Sequence, residues 1–301
     1  MKNELITYED PKSPISEVFR ALRTNIQFKN SGRNLKTILV TSTVKSEGKS
    51  VISANLAIAF AQTGKKVLIV DTDMRKSRQH TLFSVMAKPG LSNYLSGIDH
   101  KGETSDYNIY TYIKQTEIDN LDILPAGTIP PNPSELLALD KMAKTIEKLK
   151  KNYDLIIFDG APGLLVTDSI ILSRIMDSTL LVVSYREAKK EEVKKVQREI
   201  ENVGGKLEGA ILNKVPTFIG KYKDKYYYGH EKMTAEQSII PPIIINNEPN
   251  VRKKRTKKKE EKKEIESDET VNSLVTYDEP KSKLILLIQT ILKQMKINKN
   301  S

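Results

Sequence analysis

Residues 41–50 read TSTVKSEGKS, and the last three, Gly48-Lys49-Ser50, have the chemistry of a phosphate-binding loop. In such a loop, backbone N–H groups at a helix start hold anionic oxygens. The lysine bridges the β- and γ-phosphates, and the following hydroxyl ligates Mg²⁺. The pattern G-x-x-x-x-G-K-[ST] wants a glycine where this chain has Thr43. Two acidic signals accompany the loop. In VLIVDTDMR (67–75), Asp71 and Asp73 leave an apolar run and are followed by Arg75. In LIIFD (155–159), Asp159 ends another apolar run. Each alone reads equally well as a solvated loop. Together they suit cation positioning and proton removal from an attacking hydroxyl.

These residues make Lys49, Asp71, Asp73 and Asp159 the catalytic candidates, with Ser50, Asp73 and Asp159 facing the metal. The nucleotide cradle is read as Val44, Lys45, Ser46, Glu47, Gly48, Lys49, Ser50 and Val51, with Arg75 beside it. Asn213, in the stretch ILNK, is either a base-contacting residue or an ordinary strand terminator. With 0 cysteines, disulfides and thiolate chemistry are excluded. His80, His100 and His230 have no metal-ligand spacing.

The elements that must position these groups are legible as apolar runs. Strand patterns occur at 37–42, 66–71, 121–126, 153–159, 178–184 and 208–213. Helical patterns fall at 15–28, 49–63, about 134–150, 168–176 and 187–202. Strands that are apolar throughout and alternate with helices imply an α/β fold, a parallel sheet with helices on both faces. Ligands of such sheets bind at the carboxyl ends of the strands, where Ser42, Asp71 and Asp159 would stand. The class is a P-loop, SIMIBI-type fold with a largely disordered C-terminal extension. Residues 1–230 form the catalytic domain and 231–270 a low-complexity charged linker. Residues 271–301 end the chain in an apolar helix.

An internal repeat joins the two ends: LITYEDPKS (5–13) returns as LVTYDEPKS (274–282), each ahead of an apolar helix. At the same shift, Glu17, Arg20 and Arg23 become Leu286, Gln289 and Leu292. The N-terminus has no apolar signal region and no stretch reaches membrane-spanning length, so the chain reads as cytoplasmic. A net charge of +11 suggests an acidic partner. The basic run 252–263 beside the final helix offers a peripheral membrane contact.

The chain resembles the bacterial tyrosine kinases (BY-kinases) of capsule and exopolysaccharide synthesis, in their separate CpsD/CapB-type form. The resemblance rests on Glu17, Arg20 and Arg23 in E-x-x-R-x-x-R, on Gly48-Lys49-Ser50, and on Asp71, Asp73 and Arg75. PAGTIPPNPSELL (125–137), Asp159 and the tyrosine cluster KYKDKYYYG (221–229) complete it. It implies a tyrosine autokinase using ATP and Mg²⁺ and acting in trans on Tyr222, Tyr226, Tyr227 and Tyr228. It also implies a homo-oligomeric ring closed by Glu17, Arg20 and Arg23, and a transmembrane activator that recruits the protein to the inner face of the membrane. Nucleic acid is not an expected partner.

The chain departs from that family's pattern in two places. Ser46 stands where relatives carry glycine, and Asp159-Gly160-Ala161-Pro162 replaces the usual D-T-P-P. If the glycine position needs φ > 0, Ser46 carries about 1–2 kcal/mol of strain. Two alternatives stay open: a ParA/MinD-like ATPase switch, and a nucleotide-binding pseudokinase scaffold. Against the first, the signature lysine of those ATPases would fall at Val44, and Lys45 is one place off.

Overall fold

The computed structural model describes residues 4–98 and 108–216, with strand backbone at 239–240 and 243–246. His100, His230, the tyrosine cluster and the second copy of the repeat lie outside the described residues. Two helices open the fold, α1 (Ile6–Glu9) and α2 (Pro14–Lys29). The Ser13 hydroxyl caps α2 by accepting the Ile15 N–H at 3.2 Å, and Pro14 fills a first-turn position with no donor to waste.

Strand β1 (Thr37–Ser42) runs into the phosphate loop and helix α3 (Lys49–Ala61). There follow β2 (Val67–Asp71), α4 (Gln79–Leu82), α5 (Leu91–Ser96), β3 (Lys114–Gln115) and β4 (Leu121–Leu124). Next come α6 (Pro133–Ala138), α7 (Asp140–Leu149), β5 (Leu155–Asp159) and α8 (Asp168–Ser173). The series closes with β6 (Ser178–Ser184), α9 (Lys190–Asn202) and β7 (Leu207–Asn213). Three further strands are β8 (Val215–Pro216), β9 (Ile239–Ile240) and β10 (Ile243–Asn246).

The main sheet has the order β10-β7-β6-β1-β5-β2-β4-β3. Pairings from β7 through β4 are parallel, and β3 pairs antiparallel with β4. All residues of β1, β2 and β5 are buried because alternate side chains enter different cores. Ile38, Val40, Val67, Ile69, Leu155 and Ile157 join α2 and α3 on one face. Leu39, Leu68, Val70, Ile156 and Phe158 join α5, α7 and α8 on the other. The uninterrupted apolar runs in the sequence are the signature of this two-sided burial.

Strand β5 lies between β1 and β2, and the register sets Asp71 opposite Asp159. The compact unit carrying the sheet spans Met1–Ile245; of the second unit, Asn246–Ser301, only Asn246 is among the described residues. The sheet edge at β10 therefore draws on residues that the sequence reading places in the linker.

The helix expected over about 134–150 is broken at Leu139, whose ψ of 143° is extended. A continuous helix from buried Leu137 would carry Asp140, Lys141 and Lys144 toward the core, since neighbours on a face are three and four residues apart. Restarting at Asp140 rotates Met142, Ile146 and Leu149 inward instead. Lys141 then lies over the Tyr94 ring, 4.5 Å from its centroid.

Helix α3 is buried along almost its whole length. The sheet covers one side, and the N-terminal segment covers the other. Thr7 N–H donates to Asn55 Oδ1 at 3.0 Å, and Asn55 Nδ2 donates to the Glu4 carbonyl at 2.7 Å. Phe19, Leu22 and Ile26 of α2 complete that cover, each worth about 1.5–3 kcal/mol on burial.

Candidate active site

The phosphate loop is shaped by two left-handed residues, Ser46 at φ 68° and Gly48 at φ 93°. The strain expected at Ser46 is therefore present in the backbone. Gly48 is required twice over, because a Cβ there would lie 2.2 Å from Asn213 Nδ2. Asn213, at the end of β7, donates through Nδ2 to the Glu47 carbonyl at 2.8 Å and so braces the loop.

Glu47 is buried, and its carboxylate staples the loop. Oε2 accepts from the Thr43 hydroxyl at 2.6 Å and from the Val44 N–H at 2.9 Å. Oε1 accepts from the Ser184 N–H at 2.9 Å, tying the loop to the end of β6. Thr43, the position where the motif wants glycine, thus supplies a hydroxyl that a glycine lacks.

Lys49 opens α3 and points into the strand ends. Its ammonium lies 2.8 Å from Asp73 Oδ2, 3.5 Å from Asp159 Oδ1 and 3.2 Å from the Ser50 hydroxyl. Burial pulls the Lys49 pKa down, but Asp159 and Asp73, with a smaller share from Asp71, outweigh it and raise it well above the usual lysine range. The lysine stays charged.

Asp71 is fully buried. Its Oδ1 accepts from the Asp73 N–H at 3.2 Å, and Oδ2 from the Arg78 and Gln79 N–H groups, both at 3.0 Å. Burial, followed by the Asp159 charge beside it, pushes the Asp71 carboxyl up to about 8 against the opposing pull of Lys49 and the Gln79 N–H. Asp73 Oδ1 accepts the Lys76 N–H at 2.9 Å.

Arg75 makes a two-pronged pair with buried Asp168: Nε to Oδ2 at 3.0 Å and Nη2 to Oδ1 at 3.2 Å. The same Nη2 reaches the Ser134 hydroxyl at 3.2 Å, so Arg75 links the turn after β2 to α6 and α8. On α2, Arg20 pairs with Glu17 and donates to the Pro11 carbonyl. Arg23 turns inward and donates to the Ala59 carbonyl at 3.0 Å, near the end of α3.

Lys49, Ser50, Asp71, Asp73 and Asp159 thus gather at one place, with the loop residues Val44 to Val51 around them. Glu17, Arg20 and Arg23 lie on the separate α2 segment, and the acceptor tyrosines lie outside the described residues. At Gly160, where the family pattern D-T-P-P has threonine, this fold leaves no room for a side chain. A Cβ there would come 2.4 Å from the Ser169 hydroxyl and 2.9 Å from Leu39 Cδ1. The sequence places Glu47 in the cradle without showing the staple its carboxylate forms; Gln79, Ser53 and Asp168 carry no signal there, although Gln79 lies only eight residues past Asp71.

The family model described as an AAA domain matches residues 35–212. A putative tyrosine-protein kinase CapB from Staphylococcus aureus is 43% identical over 224 residues, covering 74% of this chain and 94% of that protein. The kinase domain of the Escherichia coli tyrosine kinase ETK is 32% identical with a TM-score of 0.66, over 75% of this chain and 84% of that one. The septum site-determining protein MinD of Pyrococcus horikoshii, solved with Mg-ADP, is a more distant likeness. It shows 25% identity and a TM-score of 0.51, over 60% of this chain and 70% of that one. The fold is that of a nucleotide-binding P-loop protein, and among its relatives the tyrosine kinases match far more of the residues. With its phosphate loop, strand-end carboxylates and CapB-like sequence, the chain belongs to the bacterial tyrosine kinases.

Proposed function

We propose that this protein is an ATP- and Mg²⁺-dependent tyrosine kinase that phosphorylates Tyr222, Tyr226, Tyr227 and Tyr228 of a neighbouring subunit, in the service of capsule or exopolysaccharide synthesis. The carrying observation is the Lys49 ammonium held between Asp73 and Asp159, 3.2 Å from the Ser50 hydroxyl, at the carboxyl ends of β1, β2 and β5. One lysine against three buried carboxylates leaves surplus negative charge, which suits a divalent cation. Among the described residues no group of three or more His, Cys, Asp or Glu side chains could hold a metal unaided. Mg²⁺ fits such a site because it takes one or two carboxylates and completes its shell with phosphate and water.

Bound Mg-ATP would supply the transferable phosphoryl group. Lys49 would exchange its Asp73 partner for phosphate oxygens, while N–H groups of the 45–51 stretch would line the cradle, the Val44 N–H being held by Glu47. Ser50, Asp73 and Asp159 would hold the cation, and Asn213 would face the base. Arg75 would fix the turn that carries Asp73. Asp71, whose proton affinity is raised toward working pH, is assigned to activation of the tyrosine hydroxyl. Its complete burial means that direct contact needs a shift of the turn after β2.

The wider setting is part of the same reading: a ring joined through the α2 segment and the cytoplasmic segment of a transmembrane activator. The C-terminal extension would touch the inner face of the membrane. In this reading the activator provides the membrane anchor; among the described residues no helix is long and apolar enough to cross a membrane.

Incubating the full chain with Mg-ATP, with and without an activator segment, and mapping phosphotyrosine by mass spectrometry tests the reading. Phosphate on residues 222–228 that falls at least about 100-fold in Lys49→Met is expected, since removing one group that stabilises transferring charge costs that much. ATP hydrolysis without phosphotyrosine would favour the MinD-like switch, and nucleotide binding alone the scaffold.

A further inference from the structure

Gln79 has no part in either the phosphate-loop pattern or the acidic strand ends, yet it stands between them. It is completely buried at the start of α4. Its Nε2 donates to the Ser50 carbonyl at 2.9 Å and to Asp159 Oδ2 at 2.8 Å. Both partners are acceptors only, so the amide orientation follows from chemistry: the NH₂ group faces them and Oε1 faces away.

Oε1 is buried and accepts no hydrogen bond among the described residues. A buried acceptor left without a donor is costly, so Oε1 gives no reason for an amide at this position. The amide is explained by what Nε2 holds. The other oxygen of Asp159 has only long contacts, 3.5 Å to Lys49 Nζ and 3.4 Å to Ser53 Oγ. The bond from Gln79 is the shortest side-chain contact on that carboxylate. It also runs to the main chain of the residue whose hydroxyl is assigned to the cation.

Resting on the nucleotide–metal reading above, we propose that Gln79 is a positioning residue for the divalent cation. One amide locks the Asp159 carboxylate against the first turn of α3, so that Asp159 and Ser50 keep a fixed separation before the metal arrives. Gln79 touches neither substrate nor cation; it acts through Asp159.

Titration calorimetry of ADP into the full chain, with Mg²⁺ and again with EDTA, reads this directly. Gln79→Leu should lose about tenfold in the affinity gained from Mg²⁺, the usual scale for removing a group that orients a metal ligand. Its metal-free ADP affinity should stay within about twofold of wild type, whereas the nucleotide-free melting temperature should fall, because Asp159 Oδ2 stays buried without its donor. Gln79→Met, unbranched and close in length, should behave alike and guards against a packing defect in the leucine variant. A wild-type Mg²⁺ gain in both variants, or equal losses with and without Mg²⁺, would overturn the proposal. No Mg²⁺ gain in the wild-type protein would instead overturn the nucleotide–metal reading beneath it.

Discussion

The two ends of α3 are built on opposite rules. At its N-terminal end, Ser46 is held in a left-handed conformation, one ammonium faces three carboxylates, and Asp71 lies beside Asp159. At its C-terminal end side-chain donors meet main-chain carbonyls. Arg23 caps the Ala59 carbonyl, and Gln62 Nε2 donates to the Thr7 carbonyl at 2.9 Å. The first end holds strain and unbalanced charge, and the second supplies the stability that allows it. Active sites commonly concentrate such unfavourable features, provided the surroundings over-determine them.

Substitutions at each end can break or sharpen this contrast. The largest effect is expected at Gly48, where alanine meets Asn213 and an unfavourable φ together. Gly48→Ala should cost about 2–3 kcal/mol in denaturant unfolding and abolish tight nucleotide binding. A variant with wild-type stability and affinity would show that the loop is less constrained than the contrast requires.

Next is Arg23→Ala, which removes the cap on the far end of α3. It should lower stability by about 1–2 kcal/mol while nucleotide affinity per folded molecule stays near wild type. If oligomer size changes and stability does not, Arg23 belongs to a subunit interface rather than to the support of α3. The smallest effect, and of opposite sign, is expected for Ser46→Gly. Relief of the left-handed strain, partly offset by the freer unfolded chain, should raise stability by up to about 1 kcal/mol and tighten nucleotide binding slightly. A loss on both counts would mean that the Ser46 side chain contributes more than its backbone costs.

Much of this was readable beforehand because burial on both faces leaves long apolar runs. Strands β1, β5 and β6 end where the apolar stretches stop, at Ser42, Asp159 and Ser184. The residues that tune the site were less visible. Glu47 looks like any charged loop residue until the fold brings the Ser184 N–H, 137 positions away, against its carboxylate. Gln79 and Asp168 are ordinary polar residues in sequence and become buried partners of Asp159 and Arg75 only through tertiary contact. Arg23 reads as part of a charged helix face, and its inward turn depends on where α3 ends.

By itself, then, the sequence determined the chemistry available: a lysine and hydroxyl after a loop, acidic groups at strand ends, and a tyrosine-rich segment at 221–229. Those follow from residue type and short-range spacing. Only the tertiary structure decided which groups face one another. Insertion of β5 between β1 and β2 sets Asp159 beside Asp71 and within reach of Lys49. Burial then raises the cost of each unpaired charge, so the partners chosen across the fold decide what the site can hold.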